Sequence, residues 1–183
     1  MKPTGRGLLL AALHLAIVAS LGGKLALDRA TRPRVWLRAA PVDPYLPIRG
    51  RYLSLRLEVP LQGPAPQGSG GSWQSLRVRL VPRAGGLVAV PLGPAGGWFP
   101  GSLAGDETFA SYDPARPPLP DGRPVVRLEE PVAFFIPETG PDPSRRVPGA
   151  ELRVEVTVPR RGPLRPIRLG VWQDGQFRIL DAL

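Results

Sequence analysis

The chain has no cysteine, one histidine and only two lysines in 183 residues. Without a thiol there is no disulfide, no thiolate nucleophile, no iron–sulfur ligation and no lipid-modified N-terminal Cys. An oxidising compartment remains open to a chain this long, which can hold a core without disulfides. His14, the single imidazole, lies inside an apolar run. That placement removes Ser-His-Asp and Cys-His catalysis, and it removes the usual zinc ligands. A Ser-Lys dyad would need Lys2 or Lys24, which flank the same run. No Gly-rich phosphate loop stands between a strand and a helix, so no cofactor is expected. No aromatic–basic platform, helix-turn-helix or zinc pattern points to nucleic acid.

What is abundant is glycine (22), proline (25) and arginine. Gly and Pro make up about a quarter of the chain, close to the level at which disorder is suspected. Here they fall between periodic apolar runs, which makes them turn markers. The net charge of +9 is carried almost wholly by arginine. Such a charge suits anionic lipid, an acidic polymer or nucleic acid, or it simply covers the solvent faces of strands and lies near a membrane.

The run "GLLLAALHLAIVASLGG" from Gly7 to Gly23 carries no charge. At 1.5 Å per residue it reaches about 25 Å, slightly short of a bilayer core. Extension to Leu27 puts Lys24 at the interface, where its stem can snorkel. We read 7–27 as an uncleaved transmembrane anchor; a signal peptide is the rival, though no A-x-A site closes the run. Residues 1–6 form a short N-terminal tail and 28–33 a linker. Lys2 and Arg6 favour a cytoplasmic N-terminus, whereas Lys24, Arg29, Arg32, Arg34 and Arg38 oppose it. His14 reads as a neutral imidazole tolerated at membrane depth, having no second ionisable group in the segment.

Residues 34–183 read as strands and turns. In "YLSLRLEV", Leu53, Leu55, Leu57 and Val59 share one face, and Tyr52, Ser54, Arg56 and Glu58 the other. That is the period of a half-buried strand. The stretches 75–81 and 151–158 repeat the pattern, 34–40 is a first strand, and "GLVAV", "PVVRL" and "VAFFI" are shorter candidates. The closing "PIRLGVWQDGQFRIL" predicts a hairpin turning at Asp174-Gly175, a type I′ pair. The expected fold is all-β, an antiparallel β-sandwich or open barrel preceded by one N-terminal transmembrane helix. Two long loops are expected at 61–72 and 93–124. Trp98, Phe99, Phe109 and Tyr112 of the second either cover the sheet or contact a partner.

Two carboxylates at the right separation can hydrolyse a glycosidic bond. Among the acidic residues are Asp43, Glu58, Asp106, Glu107, Asp113, Asp121, Glu129, Glu130, Glu138 and Asp142. Solvated or Arg-paired carboxylates are the simpler reading.

Three segments together resemble one family. "VDPYLPIRGRYLSLRLEV" resembles the namesake motif of the GDYXXLXY family of bacterial membrane-anchored proteins, here written Gly50, Arg51, Tyr52, Leu55 and Leu57. Arg51 stands where the motif has Asp, and Leu57 where it has its last Tyr. "FFIPETG" is similar to a later family segment, with Pro137 and Glu138 matching, and "VWQDGQF" is similar to its terminal hairpin. The resemblance implies an N-in anchor, an extracytoplasmic β domain and association with a polytopic membrane protein, with no attached activity.

The knot before the second strand has two readings. As a clamp, Gly50 permits a sharp entry, Asp43 bonds the backbone of the Pro44–Pro47 turn, and Tyr52 covers it. As a site, Arg49, Arg51, Tyr52 and Glu138 converge into one polar patch. The functional expectation is a non-catalytic, single-span interaction module of the bacterial envelope. The alternatives are a carboxylate-dependent hydrolase of envelope glycans, and a cytosolic-side module held on anionic lipid by Arg29–Arg38.

Overall fold

A computed structural model describes residues 5–42, 52–66, 73–84, 86–94, 106–119, 121–135, 149–159 and 162–180. The chain divides into two compact units, Met1–Arg32 and Pro33–Leu183.

The first unit is a single helix, α1 (Gly5–Thr31). Its Leu and Ala content is strongly helix-forming. Its stretch Gly7–Thr31, 25 residues, is long and apolar enough to cross a membrane. At 1.5 Å per residue that is about 37 Å, more than a bilayer core of about 30 Å. Leu8, Leu9, Leu13, Leu15, Val18 and Leu21 are all exposed, as a lipid-facing helix requires. Its polar side chains bond back to the helix itself. His14 Nδ1 donates to Leu10 O at 2.8 Å, Ser20 Oγ to Ile17 O at 2.8 Å, and Thr31 Oγ1 to Leu27 O at 2.7 Å. These local bonds satisfy groups that hydrocarbon would leave bare. The helix runs on through Asp28 to Thr31, residues read from sequence as linker. Arg32 Nε pairs with Asp28 Oδ1 at 3.1 Å, and Pro33 follows, which cannot extend the helical ladder.

Among the described residues the second unit holds ten strands: β1 (Arg34–Pro41), β2 (Tyr52–Pro60), β3 (Gln74–Arg83), β4 (Gly86–Pro94), β5 (Glu107–Tyr112), β6 (Val125–Leu128), β7 (Val132–Phe135), β8 (Glu151–Thr157), β9 (Arg165–Gln173) and β10 (Gln176–Leu180). They form one sheet in the order β10-β9-β8-β1-β2-β6-β5-β3-β4, with β7 also on β2. Every named pair is antiparallel. The all-β body with an N-terminal apolar helix is as the sequence predicts.

Alternation explains the core. In β2, Leu53, Leu55, Leu57 and Val59 are buried while their neighbours are half-buried. Leu152, Val154 and Val156 of β8 and Leu37 and Ala39 of β1 join them. Each such Leu or Val contributes about 1.5–3 kcal/mol by leaving water.

β6 and β7 lie along the same side of β2, Arg127 opposite Glu58 and Val132 opposite Leu55. Glu129-Glu130-Pro131 interrupts what is otherwise one strand, since Pro131 has no N–H to give a ladder. Past Pro60 the chain meets the far margin of the sheet. Leu61 pairs with Ala89 of β4 in a parallel bridge, and Gln62 N donates to Ala89 O at 2.8 Å. The sheet therefore curls until β4 reaches the end of β2, with Leu61, Leu87 and Ala89 sealed inside.

β5 lies inside the stretch 93–124 expected to be loop. "ETFASY" has a single small buried residue, Ala110, so it carries no apolar alternation. Phe109 and Tyr112 belong to that strand, and Tyr112 packs against the core.

Candidate functional site

The outer face of the curled sheet carries the charges. Paired residues in an antiparallel sheet share a face, so register lines up one long row. It runs Ser75, Ser111, Arg127, Glu58, Arg38, Arg153 and Gly170 across seven strands. Sequence alternation places Glu58 and Arg153 outward, but nothing local places the members of the row side by side.

A strap after β5 crosses this row. Asp113 Oδ1 accepts from Ala115 N at 3.0 Å, and Arg116 N donates to Asp113 O at 3.1 Å, which turns the chain. A second turn closes with Gly122 N donating to Leu119 O at 2.8 Å, with Gly122 at φ 81°. There the Arg123 guanidinium, hydrogen-bonded to Asp121 at 2.8 Å, holds that carboxyl below its ordinary 3.8 and is itself raised. The Arg116 side chain then reaches Glu58 on β2.

Strap and sheet enclose a cleft of about 650 Å³ lined by Arg38, Glu58, Asp113, Arg116, Arg127 and Glu151. Arg116 and Arg127 share Glu58 Oε1, Arg127 at 3.5 Å. Arg38 and Arg153 share Glu151, at 2.9 and 2.8 Å. Glu58 is the more enclosed, its side chain 11% exposed. Each glutamate is thus a bridge between two guanidiniums. Arg38 Nε and Ser111 Oγ, buried in the same row, make no hydrogen bond. The arrangement suits binding through directed N–H groups more than proton transfer.

Beside the cleft the outer face becomes aromatic. Phe177 of β10 meets Trp36 of β1 edge-on at 4.7 Å and Trp172 of β9 at 6.3 Å. The Arg153 guanidinium lies 5.1 Å from the Trp172 ring centre, a cation–π distance. Gly170 makes the span possible: a Cβ there would stand 2.5 Å from Phe177 Cζ. Beneath the rings Glu155, 5% exposed, pairs with Arg168 at 2.7 Å.

Of the motif residues, Asp43, Arg49, Gly50, Arg51, Pro137 and Glu138 lie outside the described residues. Tyr52 opens β2 opposite Phe135, their rings 4.4 Å apart and tilted 47°. Phe135 is 68% exposed, so this pair marks a surface. Leu55 and Leu57 are fully buried, core positions that the alternation of β2 requires. The Arg116–Glu58 anchor and the Trp36–Phe177 contact were not foreseen. Alternation places Glu58 outward, and no signal in the sequence pairs Glu58 or Trp36 with its partner. Among the described residues no cluster of His, Cys, Asp and Glu forms a metal site. No family model, curated protein or solved structure matches the chain.

Proposed function

We propose that this chain is a membrane-anchored interaction module of the bacterial envelope, its β body extracytoplasmic and accessory to a polytopic membrane protein. The observation that carries the reading is the helix stretch Gly7–Thr31, long and apolar enough to cross a membrane and followed within a few residues by a β body. A body on such a tether searches two dimensions for its partner, which raises effective concentration. The outer face adds what protein surfaces use for recognition: Trp172, Phe177 and Phe135 exposed, with arginines between them. The likeness of 42–59, 134–140 and 171–177 to the GDYXXLXY family supports the same reading, with the N-terminus cytoplasmic.

Crosslinking in native membranes followed by co-purification tests it. A multi-span protein recovered at fixed stoichiometry is the expected result, and recovery of this chain alone overturns it. Protease digestion of intact cells tests orientation: cleavage within the body supports an outward face, and full protection overturns it.

A second reading has one observation in its favour, since Glu58, Asp113 and Glu151 line one cleft. A hydrolase of envelope glycans would need one of them as acid and another as base or nucleophile. Guanidinium pairing of Glu58 and Glu151 weighs against it. Glycan turnover abolished by Glu151→Gln would establish it over the first.

A further inference from the structure

The backbone at β10 is presented as a docking edge. Asp174 and Gly175 take φ 50° and 76°, the left-handed pair of a type I′ turn. That turn makes Gln173 and Gln176 a hydrogen-bonded pair, and the two kinds of pair alternate onward. Arg178 and Leu180 then bond inward to Val171 and Leu169. Phe177 and Ile179 occupy the other positions, so their N–H and C=O groups point away from β9. Among the described residues no strand lies beyond them.

Side chains on this edge are patterned. Phe177 pairs with Trp172 and Ile179 with Gly170, so both lie on the outer aromatic face. Phe177 is 37% and Trp172 39% exposed. Arg178, opposite Val171, lies on the other face, is exposed, and has no ion pair among the described residues.

We propose that β10 takes up an extended segment of a partner protein by strand addition, with apolar side chains opposite Phe177 and Ile179 and a carboxylate opposite Arg178. Main-chain bonds supply affinity in this mode and alternate side chains supply choice. The lone guanidinium selects a carboxylate. A second copy of this chain is disfavoured by the same residue. Pairing Phe177 with Ile179 of a copy sets Arg178 against Arg178, and like charges directly opposite destabilise a pair. A charge on the inner side of an edge strand is a known guard against self-pairing. The proposal rests on the reading of the chain as an interaction module and names the chemistry of its partner.

The test uses the full chain in detergent and a labelled peptide, acetyl-Ser-Thr-Val-Glu-Val-Thr-Ser-amide, followed by fluorescence anisotropy. The Val-Lys-Val analogue should bind at least tenfold more weakly, and Arg178→Glu should invert that preference. Ile179→Pro removes an outward N–H without touching the hairpin ladder, and it should lower affinity tenfold or more with the circular dichroism unchanged. Equal binding of the two peptides, or binding indifferent to Ile179→Pro, overturns the proposal. So does dimer formation by the wild-type chain, read by analytical ultracentrifugation, together with failure of the glutamate peptide to bind. Peptide binding is read independently of co-purification: a chain that purifies alone sinks the module reading, whereas loss of peptide discrimination sinks only the edge.

Discussion

The two margins of the sheet differ in what lies beyond them. Past β4 comes Leu61, wholly buried, with the Gln62 amide bonded to Ala89. β4 also carries Pro91 and Pro94, which have no N–H to offer a stranger. β10 is built the opposite way. Gln176, Phe177 and Arg178 are exposed, the strand contains no proline, and its aromatic side chain lies across the surface. One margin spends its backbone on closing the body, and the other keeps its backbone in reserve. Local stability should follow that division, since few buried apolar contacts mean easy local opening.

The largest break in this contrast is Leu61→Ala. It removes a fully buried side chain from the seam and should cost about 2–5 kcal/mol in chemical denaturation of the full chain. It should also turn β4 into a second open margin, visible as faster exchange of the Gln62 amide. Unchanged stability would mean that the seam does not hold the curl. Next comes Glu58→Ala, which strands the half-buried guanidiniums of Arg116 and Arg127. About 2 kcal/mol is expected, with amides of 113–119 losing protection while β9 and β10 keep theirs.

Gly170→Ala acts on the open margin and should be milder. The new methyl displaces Phe177 from Trp36, a loss of about 1 kcal/mol. Trp36 fluorescence should shift while the seam is untouched. The smallest effect lies in the strap. Asp121 titrates below the ordinary aspartate range because Arg123 stabilises its charged form. Its folded value is depressed, so its small contribution to stability is present above the unfolded value and is lost as pH falls through the folded one. Arg123→Ala should return the Asp121 titration, followed by NMR, to near 3.8.

How far the sequence could be read depended on the range of the interaction. β2 and β8 were legible because apolar residues alternate with polar ones along 52–59 and 151–158. The Asp174-Gly175 turn was legible because few residue pairs accept two positive φ angles. β5 was not, since Glu107–Tyr112 buries only Ala110 and offers no period. The seam at Leu61 and Ala89 joins residues far apart along the chain, and Arg116 and Glu58 lie 58 positions apart. No local pattern encodes such meetings. The motif around Tyr52 was half legible: its leucines are core positions, as their spacing required.

The pairing of β1 with β8 sets the order in which the body can be made. Arg34 lies opposite Thr157, so one edge of the first strand must wait for a strand near the other end of the chain, while its other edge pairs with β2. Long loops closed late make folding slow. Until β8 has been made, only the edge of β1 that faces β2 can find its ladder partner. The other edge of Arg34–Pro41 stays open over most of the chain's length, so an unfinished body is most exposed to misplaced pairing there.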